Sequence, residues 1–426
     1  MSYLTSPWLP LGVLVALSLV ARILQGSWLA PSVFPSVVVS GYVVIPLLTL
    51  ADKISAVTVW VMVALVFSAQ VGAFCAEGLA PSRNVGRGED DTFRTAVVSR
   101  CFVVILSASL VAFVGAFVYA VSSLRQLDLS FSWNGFLGLG GLLYGVIVGG
   151  EGDPWWFRLT RMWIFPAAFL SGIAFALSSS RLKKGLSLVW FVPVLLIGIT
   201  LASRYGTVMA IGCWVAAYLA AKVYASRGKF QLGKRTLVTA MLIFGACAVL
   251  YIAVGVVRGH KYGDVSDDSA QLRSNLFGYL AVFDSFVNNE SAFNLTFGQY
   301  SLAGAFDLLG LKKREAALDY EPIMLQNGTA SNVYTAFRGL IQDFSLPGAL
   351  LVSLACGLLC GSAYTRACSG RIGSVLILAG YYSFFLWSPI VSIFNYNSVW
   401  LGLWVAWFVV TRDQRSISFS NPRPLA

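Results

Sequence analysis

The sequence predicts an all-α, polytopic membrane protein of about eleven to twelve transmembrane helices with one large loop outside the bilayer. Three observations carry this. Hydrophobic residues make up 57% of the chain and charged residues only 12%, whereas a soluble domain carries about 25% charged residues. Apolar runs long enough to cross a hydrocarbon core of ~30 Å recur along the chain. They are continuous and not alternating, which argues against a barrel. The one long interruption is residues 258–344, a mixed, aromatic and charged stretch of 87 residues.

The expected spans are about 8–24, 33–51, 55–76, 98–121, 160–178, 186–201, 207–224, 236–257, 346–365, 373–391 and 396–411. The first begins near Trp8 with no basic residue before it, so it reads as a retained span and not a cleaved signal. The domain reading follows: spans one to eight over 1–257, the loop 258–344, spans nine to eleven over 345–412, and a polar cytoplasmic tail 413–426.

Charge orients the second half. The formal charge is +11, yet 258–344 holds seven Lys+Arg against ten Asp+Glu. Every second break is basic: Arg181, Lys183 and Lys184; Lys222, Arg227, Lys229, Lys234 and Arg235; Arg366 and Arg371; Arg412 and Arg415. Basic short loops face the cytoplasm. The turn Ser203-Arg204-Tyr205-Gly206, the large loop and the stretch near Phe394-Asn395-Tyr396 then face outward. A positive charge distributed this way is a topology signal, not a nucleic-acid footprint.

The first half leaves a choice. Residues 135–152 carry eight glycines, with Gly141, Gly145 and Gly149 at four-residue spacing. That spacing suits close helix packing. It also suits a re-entrant segment covered by protein, which is the preferred reading of 133–150. A full span there makes twelve and reverses the orientation of residues 77–97. None of the seven cysteines lies in the loop, so no disulfide is expected there. Cys356 and Cys360, one helical turn apart in a span, read as packing.

Chemistry is sought where polar groups gather. Arg204 lies between two apolar spans on the side depleted of basic residues, and its planar fork suits a phosphate or diphosphate. Arg258 and His260, the only histidine, open the loop. They offer a second anion contact and a group able to take a proton near neutral pH. Residues 332–344 are expected to form an amphipathic helix with Asn332, Thr335, Gly339 and Asp343 on one face and Arg338 at its edge. Such a helix either floats among headgroups or walls a cleft. Short interfacial helices are expected over 272–311, and Arg273 lies in that stretch. Glu151 and Asp153 form an acidic pair that suits a divalent cation. The adjacent Trp155 and Trp156 suit an interfacial belt better, so no metal site is expected. A single histidine excludes His-Glu-x-x-His zinc chemistry, and no phosphate-binding glycine loop occurs.

Ser203-Arg204-Tyr205-Gly206, then Asn332-Val333-Tyr334-Thr335 with Phe337, Asp343-Phe344 and Pro347-Gly348, together resemble motifs of the Wzy-type oligosaccharide repeat-unit polymerases, the O-antigen, capsule and exopolysaccharide polymerases. Ser345 stands where that family more often has glycine. The resemblance implies a GT-C-like helical fold and a metal-independent, cofactor-free glycosyltransferase of the bacterial inner membrane. Its active site would face the periplasm. Donor and acceptor would be undecaprenyl-diphosphate-linked oligosaccharides; membrane lipids and a chain-length regulator protein are the other partners it admits. The diphosphate contact falls on Arg204 first, then Arg258 and Arg338. His260 or Asp343 would take the acceptor proton, and Asn332, Tyr334, Thr335 and Arg273 would contact substrate. An O-antigen ligase is the nearest alternative. A lipid-linked glycan transporter or flippase is an alternative of another class.

Overall fold

The computed structural model describes residues 6–50, 54–78, 91–130, 153–201, 204–230, 276–289, 295–311, 323–325, 330–331 and 333–412, with isolated positions 132, 135, 139, 143 and 274. The helices are α1 (Trp8–Gln25), α2 (Phe34–Thr49), α3 (Ala56–Gly78), α4 (Asp91–Gln126), α5 (Trp155–Met162), α6 (Ile164–Leu177) and α7 (Arg181–Ser187). They continue with α8 (Phe191–Thr200), α9 (Arg204–Ser226), α10 (Tyr279–Asn289), α11 (Ala303–Leu308), α12 (Ala336–Cys368), α13 (Ser374–Trp387) and α14 (Asn397–Thr411). One feature was not expected: an antiparallel pair of two-residue strands, Ile323 opposite Ser331 and Met324 opposite Ala330.

Among the described residues seven helical segments are long and apolar enough to cross a membrane, and α2, α13 and α14 are shorter apolar helices. The chain is thus a multi-pass, helical membrane protein. Each expected span except 236–257, which lies outside the described residues, has its helix. Helices suit this setting because they satisfy every backbone polar group within the segment. On α4 the two faces separate cleanly. Cys101, Ile105, Ala108, Ala112 and Ala116 are buried, while Val103, Leu106, Leu110, Val114 and Phe117 face outward as a stripe for lipid.

The closest helix pairing is α3 against α12, and the two run parallel. Ser68 Oγ donates to the Leu350 carbonyl at 2.7 Å. A Cβ on Gly357 would collide with the Ala69 carbonyl oxygen, and one on Gly361 with that of Ala73. Glycines four apart on α12 therefore let two backbones meet, the small-residue packing that operates in membranes. Helices α4 and α5 run antiparallel: Gly115 abuts Thr160, and the Tyr119 and Phe157 rings stack at 4.1 Å, one turn further along α4.

Contacts sort the turns into two ends. At one end Glu77 accepts hydrogen bonds from Ser32 N and Oγ (3.4 and 2.7 Å). There too the Tyr364 hydroxyl donates to the Gly228 carbonyl at 3.4 Å. Lys184 lies over Phe175 and Lys222 over Tyr218, and those two rings touch at 5.8 Å. This is the basic end. At the opposite, loop end, Ser55 N and Oγ and Thr58 Oγ1 all donate to Asp284 Oδ1 at 2.6–2.8 Å.

These ends also place the described helices of the first half. The end of α4 and the start of α5 lie side by side at the loop end. The expected re-entrant segment 133–150 lies, but for positions 135, 139 and 143, outside the described residues. Helix α1 accordingly starts at the loop end, and Glu77 sits at the basic end.

Candidate functional site

The best-built polar assembly lies at the loop end and centres on Asp343. Thr335, expected inside a helix, is instead the N-cap of α12: its Oγ1 accepts from Arg338 N at 3.4 Å. Val333 and Tyr334 therefore precede the helix, which corrects the expected start. A Thr cap satisfies an otherwise orphan first-turn N–H. Asp343 falls near the end of this short first stretch. At Ser345 the backbone leaves helical geometry (φ 61°, ψ 171°) before the membrane-length part begins at Pro347. That region of backbone space is almost confined to glycine, which gives physical content to the serine-for-glycine departure.

The Asp343 side chain is fully buried. Its Oδ1 accepts from Thr296 Oγ1 at 2.5 Å and Tyr300 N at 3.0 Å. Its Oδ2 accepts from Ser301 N at 2.7 Å and Ser301 Oγ at 2.6 Å. Its carbonyl accepts from Phe297 N at 3.1 Å, next to a turn where Phe297 and Gly298 both have positive φ. Four donors fill the four directions of a carboxylate. This geometry gives Asp343 the task of holding residues 296–301. This segment, α11 and the start of α12 are each clamped from the far side. Ser392 Oγ donates to the Ser301 carbonyl at 2.6 Å, Asn397 Nδ2 to Asp307 Oδ2 at 2.9 Å, and Ala336 N to the Ser388 carbonyl at 2.7 Å.

Arg338 is buried one turn before this hub, its guanidinium carbon 4.1 Å from the Tyr334 ring centroid and 4.8 Å from that of Phe286. Two aromatic faces around a desolvated cation contribute about 2 kcal/mol or more. Tyr334 and Thr335, expected at the substrate, are buried supports of Arg338 and its helix. The helix does not float among headgroups: Ala336 through Ile341 are all buried.

Arg204 opens α9; its side chain lies outside the described residues, as do Arg258, His260, Arg273 and Asn332. The two residues that follow Tyr205, Gly206 and Thr207, line a cavity of about 150 Å³ together with Arg161, Tyr396 and Ser398. Arg161 was not anticipated. It is held by Asp153 at 2.9 Å, so one member of the acidic pair is committed to an ion pair. The signal was present as an acid and a base eight residues apart, flanking a helix start. Among the described residues no group of three His, Cys, Asp or Glu side chains is placed to hold a metal ion.

Beneath the Asp343 hub an apolar groove of about 430 Å³ runs between α12, α13 and α14. Ser301, Leu302 and Ser392 cap it at the loop end. Its α12 wall extends from Phe337 to Cys360. Leu359 and Trp404, both more than half exposed, mark a sideways opening. Compared with protein-family models, curated proteins and solved structures, the chain finds no match in any of the three.

Proposed function

We propose that this protein is a polysaccharide polymerase that joins undecaprenyl-diphosphate-linked oligosaccharide repeat units on the periplasmic face of the inner membrane. The observation that carries the reading is the apolar groove lying directly under a buried polar assembly. An amphiphile with a long hydrocarbon tail and a polar head fits such a site, its tail between α12 and α14 and its head near 296–344. Arg338 and the position of Arg204 at the same end suit an anionic head, and the motif resemblance supplies the sugar. The basic end would then face the cytoplasm.

In this reading the bond between the donor's anomeric carbon and its diphosphate oxygen breaks, and the acceptor hydroxyl oxygen bonds to that carbon. The lipid diphosphate leaves with the electron pair. Arg204, Arg258 and Arg338 stabilise the charge growing on it, which preorganised donors do best in a dry site. His260 takes the hydroxyl proton, and no metal is required. Asp343 acts one step back, by fixing the 296–301 segment and hence the mouth of the groove.

Deletion of the gene in its native host tests the reading. A polymerase mutant retains single repeat units on the final lipid acceptor. Loss of every repeat from that acceptor would identify a ligase instead, and unaltered long polymer would remove both.

A further inference from the structure

A second cavity adjoins the groove. This cavity of about 290 Å³ at the basic end is lined by Arg366, Arg371, Ser374 and Thr411, and it shares Ile377 and Trp407 with the apolar groove. Arg371 N donates to the Arg366 carbonyl at 2.9 Å, which closes the turn after α12 and keeps both arginines at one rim. Both are exposed, and among the described residues no acidic side chain lines the cavity. Trp407 is 44% exposed and lines both the charged cavity and the apolar one.

We propose that this cavity binds an anionic phospholipid of the adjacent leaflet, its phosphate against Arg366 and Arg371 and one acyl chain passing Ile377 and Trp407 into the groove. The chemistry matches at each level. Guanidinium forks pair with phosphate oxygens, and Ser374 adds a hydroxyl at the rim. Tryptophan favours the boundary between headgroup and chain. A basic pocket between membrane helices on the basic side is the usual form of an acidic-lipid site. A zwitterionic headgroup brings its own cation toward two arginines and gains less. The site does not depend on the polymerase reading, because it is built at the opposite end from the Asp343 hub.

The test uses the full chain in phosphatidylcholine vesicles into which brominated phosphatidylglycerol or brominated phosphatidylcholine is mixed at equal mole fraction. Trp407 fluorescence is isolated as the difference between the protein and Trp407→Phe. Brominated phosphatidylglycerol should quench Trp407 several-fold more than brominated phosphatidylcholine. The pair Arg366→Gln/Arg371→Gln should abolish the excess, Arg366→Lys/Arg371→Lys should keep part of it, and Arg412→Gln should leave it intact. Equal quenching by the two lipids, or an excess that survives the double Gln variant, overturns the proposal. Removal of the excess by millimolar inorganic phosphate would also overturn it, by assigning the cavity to a free anion.

Discussion

Ser301 binds the buried Asp343 twice, through its backbone N–H at 2.7 Å and its hydroxyl at 2.6 Å, across 42 residues of sequence. Thr296 and Tyr300 complete the set. A carboxylate so enclosed behaves as a clasp. Asp343→Ala would leave several buried donors unmet, at a cost of roughly 3 kcal/mol or more. The expected result is a lower unfolding midpoint together with faster proteolysis between residues 296 and 301. An activity defect with neither change would return Asp343 to a direct chemical role.

Ser345 is the most strained described position bearing on the site. Its φ of 61° and ψ of 171° suit glycine, and such strain costs about 1–3 kcal/mol. Ser345→Gly should therefore raise the unfolding midpoint, and Ser345→Val should lower it. A destabilised glycine variant would show that the serine hydroxyl outweighs the backbone term.

The α3–α12 seam depends on absent side chains. Gly357→Val should prevent assembly, because the Ala69 carbonyl occupies the space a Cβ needs. Gly185→Val should be tolerated, as nothing lies within 4 Å of a Cβ there. Size-exclusion profiles of the two fluorescent fusions give the comparison; matching profiles would contradict the seam.

The arrangement of ends makes a topology prediction. Reporters inserted near residues 127 and 310 should be accessible from one side of the membrane, and one near residue 228 from the other. Reporters at 127 and 310 on opposite sides would restore a full crossing at 133–150.

The spans were legible because lipid demands long uninterrupted apolar helices, a constraint that a single sequence displays openly. The break at Ser345 was half legible, as a serine in a place that suits glycine. Other features were not. Thr335 has the same residue type as a helical position but caps the helix, so the expected start fell early. Asp343 was read from its position on a helix face, yet its task comes from Thr296, Tyr300 and Ser301, which no local period links to it. Asp153 was weighed with its neighbour Glu151, while its partner in the fold is Arg161, two turns away. The antiparallel pairing of α4 with α5 rests on the contact of Tyr119 with Phe157, 38 residues apart, which no local period links.

The central claim concerns a lipid diphosphate donor, and purified protein in vesicles tests it most directly. Supplied with undecaprenyl-diphosphate-linked repeat units alone, the protein should generate a ladder of longer lipid-linked glycans. Arg204→Ala, inserted and folded, should give no ladder. A ladder of normal length from Arg204→Ala would contradict the diphosphate role, and no ladder from the unaltered protein, with units merely moved across the vesicle wall, would contradict the account as a whole.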